Sequence, residues 1–165
     1  MHPKGLRRLA TATIIASAAM IVAAQPASAQ EHDVIIPAGI GCDFELGLDN
    51  IEGPPLRRTF TDRDGNQVQL FAGKSGAIIY TNTETGKSVS FQSRGTRLRT
   101  TTTATQIIQE YSGHVGLVQF PTDVPAGPFT TQISGRLVIA IDRTTGSGTV
   151  QKLEGKQIDI CAELA

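Results

Sequence analysis

Two cysteines, Cys42 and Cys161, constrain the fold of this chain more than any other feature. They are its only cysteines, and they lie near opposite ends of its patterned part. Two thiols allow a single intramolecular pairing, and a disulfide would bring the first and last elements of the domain together. The alternatives, two free thiols or a metal pair, lack a further cysteine or a well-placed histidine. Which of them holds depends on the compartment in which the chain folds.

The start of the chain has the pattern of a secretory signal peptide over residues 1–29. Three basic residues precede a short Ala-rich apolar run, and Ala-Ser-Ala at 27–29 matches a cleavage site. The apolar run is too short for a good membrane anchor, so we expect no stable membrane span after cleavage. The expected mature protein is secreted, with a flexible N-terminal segment over 30–40 and a single β-domain over 41–165.

Export affects both the thiols and the charge. Thiols oxidise outside the cytoplasm, which favours the Cys42–Cys161 disulfide. Three basic residues leave with the leader, so the balance changes from 15 basic against 15 acidic residues to 12 against 15, a net charge of −3. That charge supplies no basic field for a nucleic acid or an anionic membrane, and we predict neither as a partner.

Most of the remaining sequence is typical of β-strands. Apolar and acidic residues alternate in CDFELGL, and short runs such as AIIYTN, SVSFQ, VGLVQF and GRLVIAID are rich in β-branched and aromatic residues. Turn residues recur every 8–12 positions or so. The pattern predicts an all-β fold, either a single antiparallel β-barrel or a sandwich of about 8–10 short strands. Closure into a barrel would remove the exposed sheet edges, and a sandwich also fits the disulfide.

Several turns can be placed from glycines. Asp64-Gly65 suits a tight hairpin, and Gly86 and Gly146 are placed to end longer hairpin loops in a left-handed conformation. The Thr-rich stretch before His114 is too long for one ordinary strand, so we predict a break at 102–105. The C-terminal IDICAELA favours either a helical turn or a last strand.

The segment PTDVPAGPF differs from the rest because prolines exclude a central strand. It predicts an ordered crossover loop, and recognition often resides in loops on a rigid scaffold. Its candidate recognition residues are Pro121, Asp123, Pro125, Pro128 and Phe129.

The sequence EYSGHVG contains the strongest candidates for a ligand pocket or for chemistry. His114 could act as a base near neutral pH, with Glu110 and Tyr111 close in sequence. No G-x-S-x-G elbow accompanies them. A structural or surface histidine is the favoured interpretation, and we assign no catalytic residue.

A calcium loop is suggested by Asp62, Asp64 and Asn66 at alternate positions. Such a loop needs glycine at its sixth position and glutamate at its twelfth, where this chain has Gln67 and Gly73. A plain hairpin turn is therefore predicted, with neither a metal nor a cofactor.

Three stretches, IPAGIGCDFELGL, GHVGLVQFPTDVPAGPFTTQISGR and DICAEL, resemble a family of short exported proteins of actinobacteria. The family's T-N-x-E-T-G pattern is matched by Asn82, Glu84, Thr85 and Gly86. The chain departs from the family at TTTTATQ, where a glycine-containing turn would be expected. The resemblance implies a shared β-rich fold and export. It implies no activity, and no catalytic residues carry over.

The sequence therefore favours a secreted, non-enzymatic β-domain. It would bind a small molecule, a glycan or a protein, or serve in the cell envelope. The alternative is a small β-barrel enzyme, similar to an isomerase or cyclase, with a pocket near Glu110, Tyr111 and His114.

Overall fold

The structure is a computed structural model that describes residues 32–51, 56–73, 76–93 and 95–165. Within these ranges nearly all regular structure is β-strand. The predicted signal peptide lies outside the described residues. The elements are β1 (Val34–Ile36), β2 (Leu46–Ile51), β3 (Leu56–Thr61), β4 (Gln67–Ala72), β5 (Ala77–Asn82), β6 (Ser88–Gln92), β7 (Arg97–Thr102), β8 (Gln106–Gln119), β9 (Phe129–Asp142), β10 (Gly148–Asp159) and α1 (Ile160–Leu164).

The strands form two antiparallel sheets, which confirms the predicted all-β class. The first sheet has the order β1-β2-β5-β6, and the second has the order β10-β9-β8-β7-β4-β3. Neither order closes on itself within the described ranges, so no closed barrel is present there. The strand number agrees with the prediction, but β8 and β9 have 14 residues each and β10 has 12, so these three are not short.

Three hairpin turns lie where glycines predicted them. Gly65, Gly86 and Gly146 have φ angles of 81°, 74° and 76°, a left-handed conformation that glycine adopts at low steric cost. In the last two turns, the side chains of Asn82 and Asp142 each accept two backbone N–H bonds from the loop. The predicted break at 102–105 is also confirmed, because it separates β7 from β8.

A row of three glycines crosses the long strands in register. Gly113 on β8 is the partner of Gly135 on β9, which is the partner of Gly155 on β10. Gly113 and Gly155 have φ angles of 105° and 109°, and a Cβ on Gly135 or Gly155 would collide with the neighbouring backbone. The sequence predicts separate short strands at VGLVQF and GRLVIAID, which would leave Gly113 and Gly135 at strand ends. They lie instead inside continuous strands, where glycine permits bends and close backbone approach.

The proline-rich loop after β8 shows how strongly these strands curl. Val124 in the loop forms a parallel bridge beside Thr149 on β10: its N–H donates to the Gly148 carbonyl and its carbonyl accepts the Val150 N–H, both at 2.8 Å. Thr149 also pairs with Ala140, which would lie about 36 Å from Phe129 if β9 were straight. The chain from Val124 to Phe129 spans at most about 18 Å. The bridge can therefore form only because β9 and its neighbours curve.

The predicted crossover is wrong for this loop. β8 and β9 pair along their whole length, from Gln106↔Asp142 to Gln119↔Phe129, so the loop connects neighbouring strands of one hairpin. Its Val124–Pro125 and Gly127–Pro128 peptide bonds are cis. Proline removes strand hydrogen bonding, as predicted, but it does not determine where the next strand lies.

Two apolar clusters form the core. The first contains residues of the first sheet together with α1, and Val118 and Ile158 of the second sheet pack against it. The second cluster belongs to β8 and β9. The buried members are Ile36, Cys42, Leu46, Tyr80, Ile160 and Leu164 in the first cluster, and Val115, Leu117, Ile133 and Leu137 in the second.

The predicted disulfide is present. Cys42 and Cys161 are bonded with their Cα atoms 5.5 Å apart, and Cys42 is only 1% exposed. Cys161 lies on α1, the predicted C-terminal helical turn, which the Asp159 carboxylate caps by accepting the N–H of Ala162 at 3.0 Å. No helix in the described ranges is long and apolar enough to span a bilayer.

Residues 32–40 belong to the fold, although the sequence predicted a flexible segment at 30–40. Val34–Ile36 form β1 and pair with β2. The His32 ring lies against Gly47, with its Nδ1 2.9 Å from an Asp49 carboxylate oxygen. Desolvation opposes ionisation of Asp49, but hydrogen bonds from His32 and the Asp33 N–H outweigh it and lower the pKa of Asp49. A strand of three residues shows too little alternation to be predicted.

Candidate functional site

Four arginines lie on one face of the second sheet. Side chains alternate between the two faces of a strand, so Arg97 and Arg99 on β7 point the same way. The register places Arg99 in line with Arg58 through Leu70. The neighbouring row places Arg97 in line with Arg136 through Ser112. Residues from β3, β7 and β9, far apart in sequence, thus share one surface.

These arginines surround a cavity of about 670 Å³ on the sheet surface. We call it the arginine groove. The residue between two groove residues of a strand, such as Arg57 on β3 or Phe71 on β4, points to the opposite face of the sheet. There the Arg57 guanidinium lies 4.9 Å from the Phe71 ring centre. The side chains that line the groove on its own face are Leu56, Arg58, Leu70, Ala72, Arg97, Arg99, Glu110, Ser112 and Arg136.

The groove carries a net positive charge because Glu110 is its only carboxylate among these side chains. Glu110 lies 3.7 Å from Arg99 Nε and 3.5 Å from Arg136 Nη2. These contacts are long, and the two arginine side chains are 48% and 51% exposed, so each ion pair contributes little to stability. Within the described part of the chain, Arg58 and Arg97 have no carboxylate partner at all.

The groove also offers apolar surface beside its charges. Leu56 on the edge strand β3 is 67% exposed, and Leu70 and Ala72 on β4 are half-buried. Guanidinium groups pair with carboxylate, phosphate or sulfonate groups in a planar, two-bond geometry. The surface therefore combines anion donors with an apolar floor.

A second cavity, of about 400 Å³, lies against strands of both sheets. We call it the inter-sheet cavity. Leu48, Ile78 and Tyr80 line it from the first sheet, and Leu98 and Val118 from the second. Its other lining residues are Asn50, Phe71, Gly73, Gly76, Ser93, Thr96, Tyr111, His114, Val115 and Gly116.

The structure separates the pocket residues predicted from sequence. Glu110 lines the arginine groove, His114 lines the inter-sheet cavity, and Tyr111 borders both. His114 Nδ1 is 2.8 Å from Ser134 Oγ, and its carbonyl accepts a hydrogen bond from Thr96. Neither of these two cavities contains both Glu110 and His114.

The predicted recognition residues of the proline loop hold the loop in place or face solvent. The Asp123 carboxylate accepts the N–H groups of Phe120 at 2.9 Å and Gly148 at 2.7 Å, and the Pro125 carbonyl accepts the Gln119 side chain at 2.7 Å. Pro121 and Pro128 are exposed, as is Pro125, and Phe129 is half-buried at the start of β9. Asp123 is thus used inside the molecule, as the cap of its own loop.

The candidate calcium residues form a turn. One Asp62 carboxylate oxygen accepts the N–H groups of Asp64 and Asn66. These backbone hydrogen bonds, that of Asn66 foremost, lower the pKa of Asp62. The carboxylate therefore already has donors within its own hairpin.

Sequence reasoning missed the arginine groove. The run RLR at 97–99 is a partial signal, because alternation in a strand puts both of its arginines on one face. The partners Arg58 and Arg136 could not be found, since nothing local shows that β3 and β9 belong to the same sheet as β7. The net charge of the expected mature chain gives no indication of the groove either, because acidic residues elsewhere outnumber the basic ones.

The comparisons with known proteins add no relative to this picture. Searches of protein-family models, of curated proteins and of solved structures find no match to this chain.

Proposed function

We propose that this protein is an exported, non-enzymatic binding module whose arginine groove takes a small organic anion with an apolar body. The observation that carries the proposal is the unequal charge of the groove, which has four arginine side chains and one carboxylate, that of Glu110, among the described residues. Arg58 and Arg97 are left to bind an external anion.

The apolar part of the ligand follows from the position of the two unpaired arginines. Arg58 and Arg97 flank β4, on which Leu70 and Ala72 face the same way, with Leu56 beside them on β3. An anionic group held between the guanidinium groups would place the rest of the ligand on these side chains. Burying apolar surface contributes about 25 cal/mol per Å². The volume of the groove is in the range of small-molecule sites.

Binding is favoured over catalysis by the positions of the candidate catalytic groups. An isomerase-like mechanism in this region would use Glu110 and His114 together, yet they line different cavities. Glu110 is also engaged by two arginines. A small anion is favoured over a protein or a long glycan because the volume of the groove is that of a small-molecule site.

Two features support the exported setting and the scaffold in this proposal. Disulfides persist in oxidising compartments, so the Cys42–Cys161 bond fits a secreted protein, as does the signal pattern at 1–29. Two sheets that meet at one apolar cluster favour a sandwich as the scaffold over a closed barrel.

The proposal is tested with a pair of fluorescent probes that differ in charge. 8-Anilinonaphthalene-1-sulfonate has a sulfonate on an apolar body, and N-phenyl-1-naphthylamine has the same rings without it. The double variant Arg58→Gln/Arg97→Gln should weaken sulfonate binding at least tenfold, since each charge-assisted hydrogen bond contributes about 1.5–3 kcal/mol. Added salt should weaken binding to the unsubstituted protein as well.

Arg63→Gln is the matched control, because Arg63 is exposed in the turn at the far end of the β3–β4 hairpin. It should leave the sulfonate affinity unchanged, and the double variant should leave binding of the uncharged amine unchanged. If the double variant binds the sulfonate as well as Arg63→Gln does, the arginine groove is not the anion site.

A further inference from the structure

The inter-sheet cavity lies between the two apolar clusters of the core. Leu48, Ile78 and Val118 pack at the edge of the first cluster, and Tyr111 packs at the edge of the second. All four are only partly buried, and all four line the cavity. The cavity is thus a gap of about 400 Å³ at which core-type side chains remain in contact with solvent.

Among the residues that the structure describes, the side chains lining this cavity carry no formal charge: none is Asp, Glu, Lys or Arg, in contrast to the arginine groove. A charged ligand would gain no countercharge from these side chains, and the loss of its hydration costs several kcal/mol or more. An uncharged ligand has no such cost and would cover the exposed apolar side chains.

Tyr80 lines the cavity, but its hydroxyl is already hydrogen-bonded within the protein. The Tyr80 hydroxyl lies against Gly116 and donates to Gln132 Oε1 at 3.0 Å. The buried Gln132 Nε2 has no hydrogen-bond partner within the described part of the chain. Gln132 is 2% exposed and does not line the cavity, so its unpaired donor is not available to a ligand there.

We propose that the inter-sheet cavity is a second ligand site, which takes an uncharged, mostly apolar small molecule. Its walls come from β2 and β5 on one side and from β4, β7 and β8 on the other. This site is distinct from the anion site, because the groove side chains of β4, β7 and β8 point to the opposite face of the sheet. Phe71, Leu98 and Tyr111 occur in both lining sets. The protein would then hold two ligands of different chemistry.

The chain provides its own optical reporter for this site. It has no tryptophan and two tyrosines, Tyr80 and Tyr111, and both line the cavity. A suitable probe is 6-propionyl-2-dimethylaminonaphthalene, an uncharged aromatic ketone whose emission shifts to the blue in apolar surroundings. Binding should produce that blue shift and should quench the tyrosine emission. Probe binding that leaves the tyrosine emission unchanged would place the probe elsewhere and overturn the proposal.

Filling the cavity provides the variant test. Leu98→Trp on one wall and Ile78→Trp on the other should each reduce probe affinity at least tenfold, while the folded far-UV circular dichroism is retained. Leu56→Trp is the matched control, because Leu56 lines the arginine groove and not the cavity. It should leave the affinity for the ketone unchanged.

Two wall variants are used in case one of them fails to fold, since a single folded variant is enough to test the cavity. If a folded wall variant binds the ketone as tightly as the unsubstituted protein, or if Leu56→Trp weakens binding equally, the cavity is not the site. Arg58→Gln/Arg97→Gln should not change ketone binding, whereas it should weaken sulfonate binding. This difference separates a failure of this proposal from a failure of the anion site.

Discussion

The fold changes the pKa of two single residues, Tyr80 and Tyr111. Tyr80 is fully buried, with its hydroxyl bonded to Gln132, and Tyr111 is half-buried on β8. Burial raises the pKa of both phenols above the usual value of 10.0, because the ionised form loses its hydration. The unfolded chain ionises these groups near their usual pKa, whereas the folded chain does so only at higher pH. Their contribution to stability is therefore complete below about pH 10 and is lost as the pH rises above it.

We expect the folded protein to show little tyrosinate absorbance at pH 10, where about half would be present in guanidinium-unfolded chain. The free energy of unfolding in urea should fall as the pH rises through this range. Tyr111→Phe removes one of the two groups and should make that decline shallower. Half-ionised tyrosine in the folded state at pH 10 would show that the phenols are in contact with water.

At the scale of elements, the glycine row of β8, β9 and β10 decides the shape of the second sheet. The proline loop reaches Thr149 only because these strands curve, and Gly113, Gly135 and Gly155 are aligned positions at which a Cβ would meet neighbouring backbone. A methyl group at this row would separate the strands or straighten them. The curvature therefore depends on the absence of a Cβ atom at these three glycines.

Gly155→Ala should destabilise the protein by about 2–5 kcal/mol, because it combines a positive φ with a collision against the Ser134 carbonyl. Gly73→Ala is the matched control, since an added Cβ there meets nothing within 4 Å. It should change stability by less than about 1 kcal/mol. Urea unfolding of both variants measures the difference, and equal midpoints would show that the row is not needed for the bend.

Features determined by adjacent residues could be predicted from the sequence, whereas features determined by strand pairing could not. The turns at Gly65, Gly86 and Gly146 were predicted correctly, because a tight turn is determined by a few adjacent residues. The glycines at 113 and 135 were misinterpreted, because a turn and a bend within a strand use the same residue and differ only in what the partner strand does. The arginine groove was missed for the same reason, since its members meet through strand pairing.

At the scale of the whole molecule, the disulfide links the segment between β1 and β2 to the C-terminal helix α1. Cys42 lies just before β2 and Cys161 on α1, with a sequence separation of 119. Closing a loop of this length lowers the entropy of the unfolded chain by the equivalent of about 4–5 kcal/mol as an upper figure. The bond lies in the first apolar cluster, so it also contributes to packing.

The double variant Cys42→Ser/Cys161→Ser should lose about 3–5 kcal/mol of unfolding free energy in urea relative to the oxidised protein. Reductant should lower the unfolding midpoint of the unsubstituted protein and leave that of the double variant unchanged. If the oxidised protein and the double variant unfold at the same urea concentration, the cross-link does not stabilise the fold.

The Cys42–Cys161 disulfide also affects what proteolysis does to the protein. A single peptide-bond cleavage at any point between residues 42 and 161, including the exposed proline loop, would leave both fragments joined through sulfur. Neither piece could diffuse away, and strand pairing along β8 and β9 would keep the cut ends in register. A nicked molecule would therefore remain one particle with its groove and cavity assembled, until a reducing agent separated the halves.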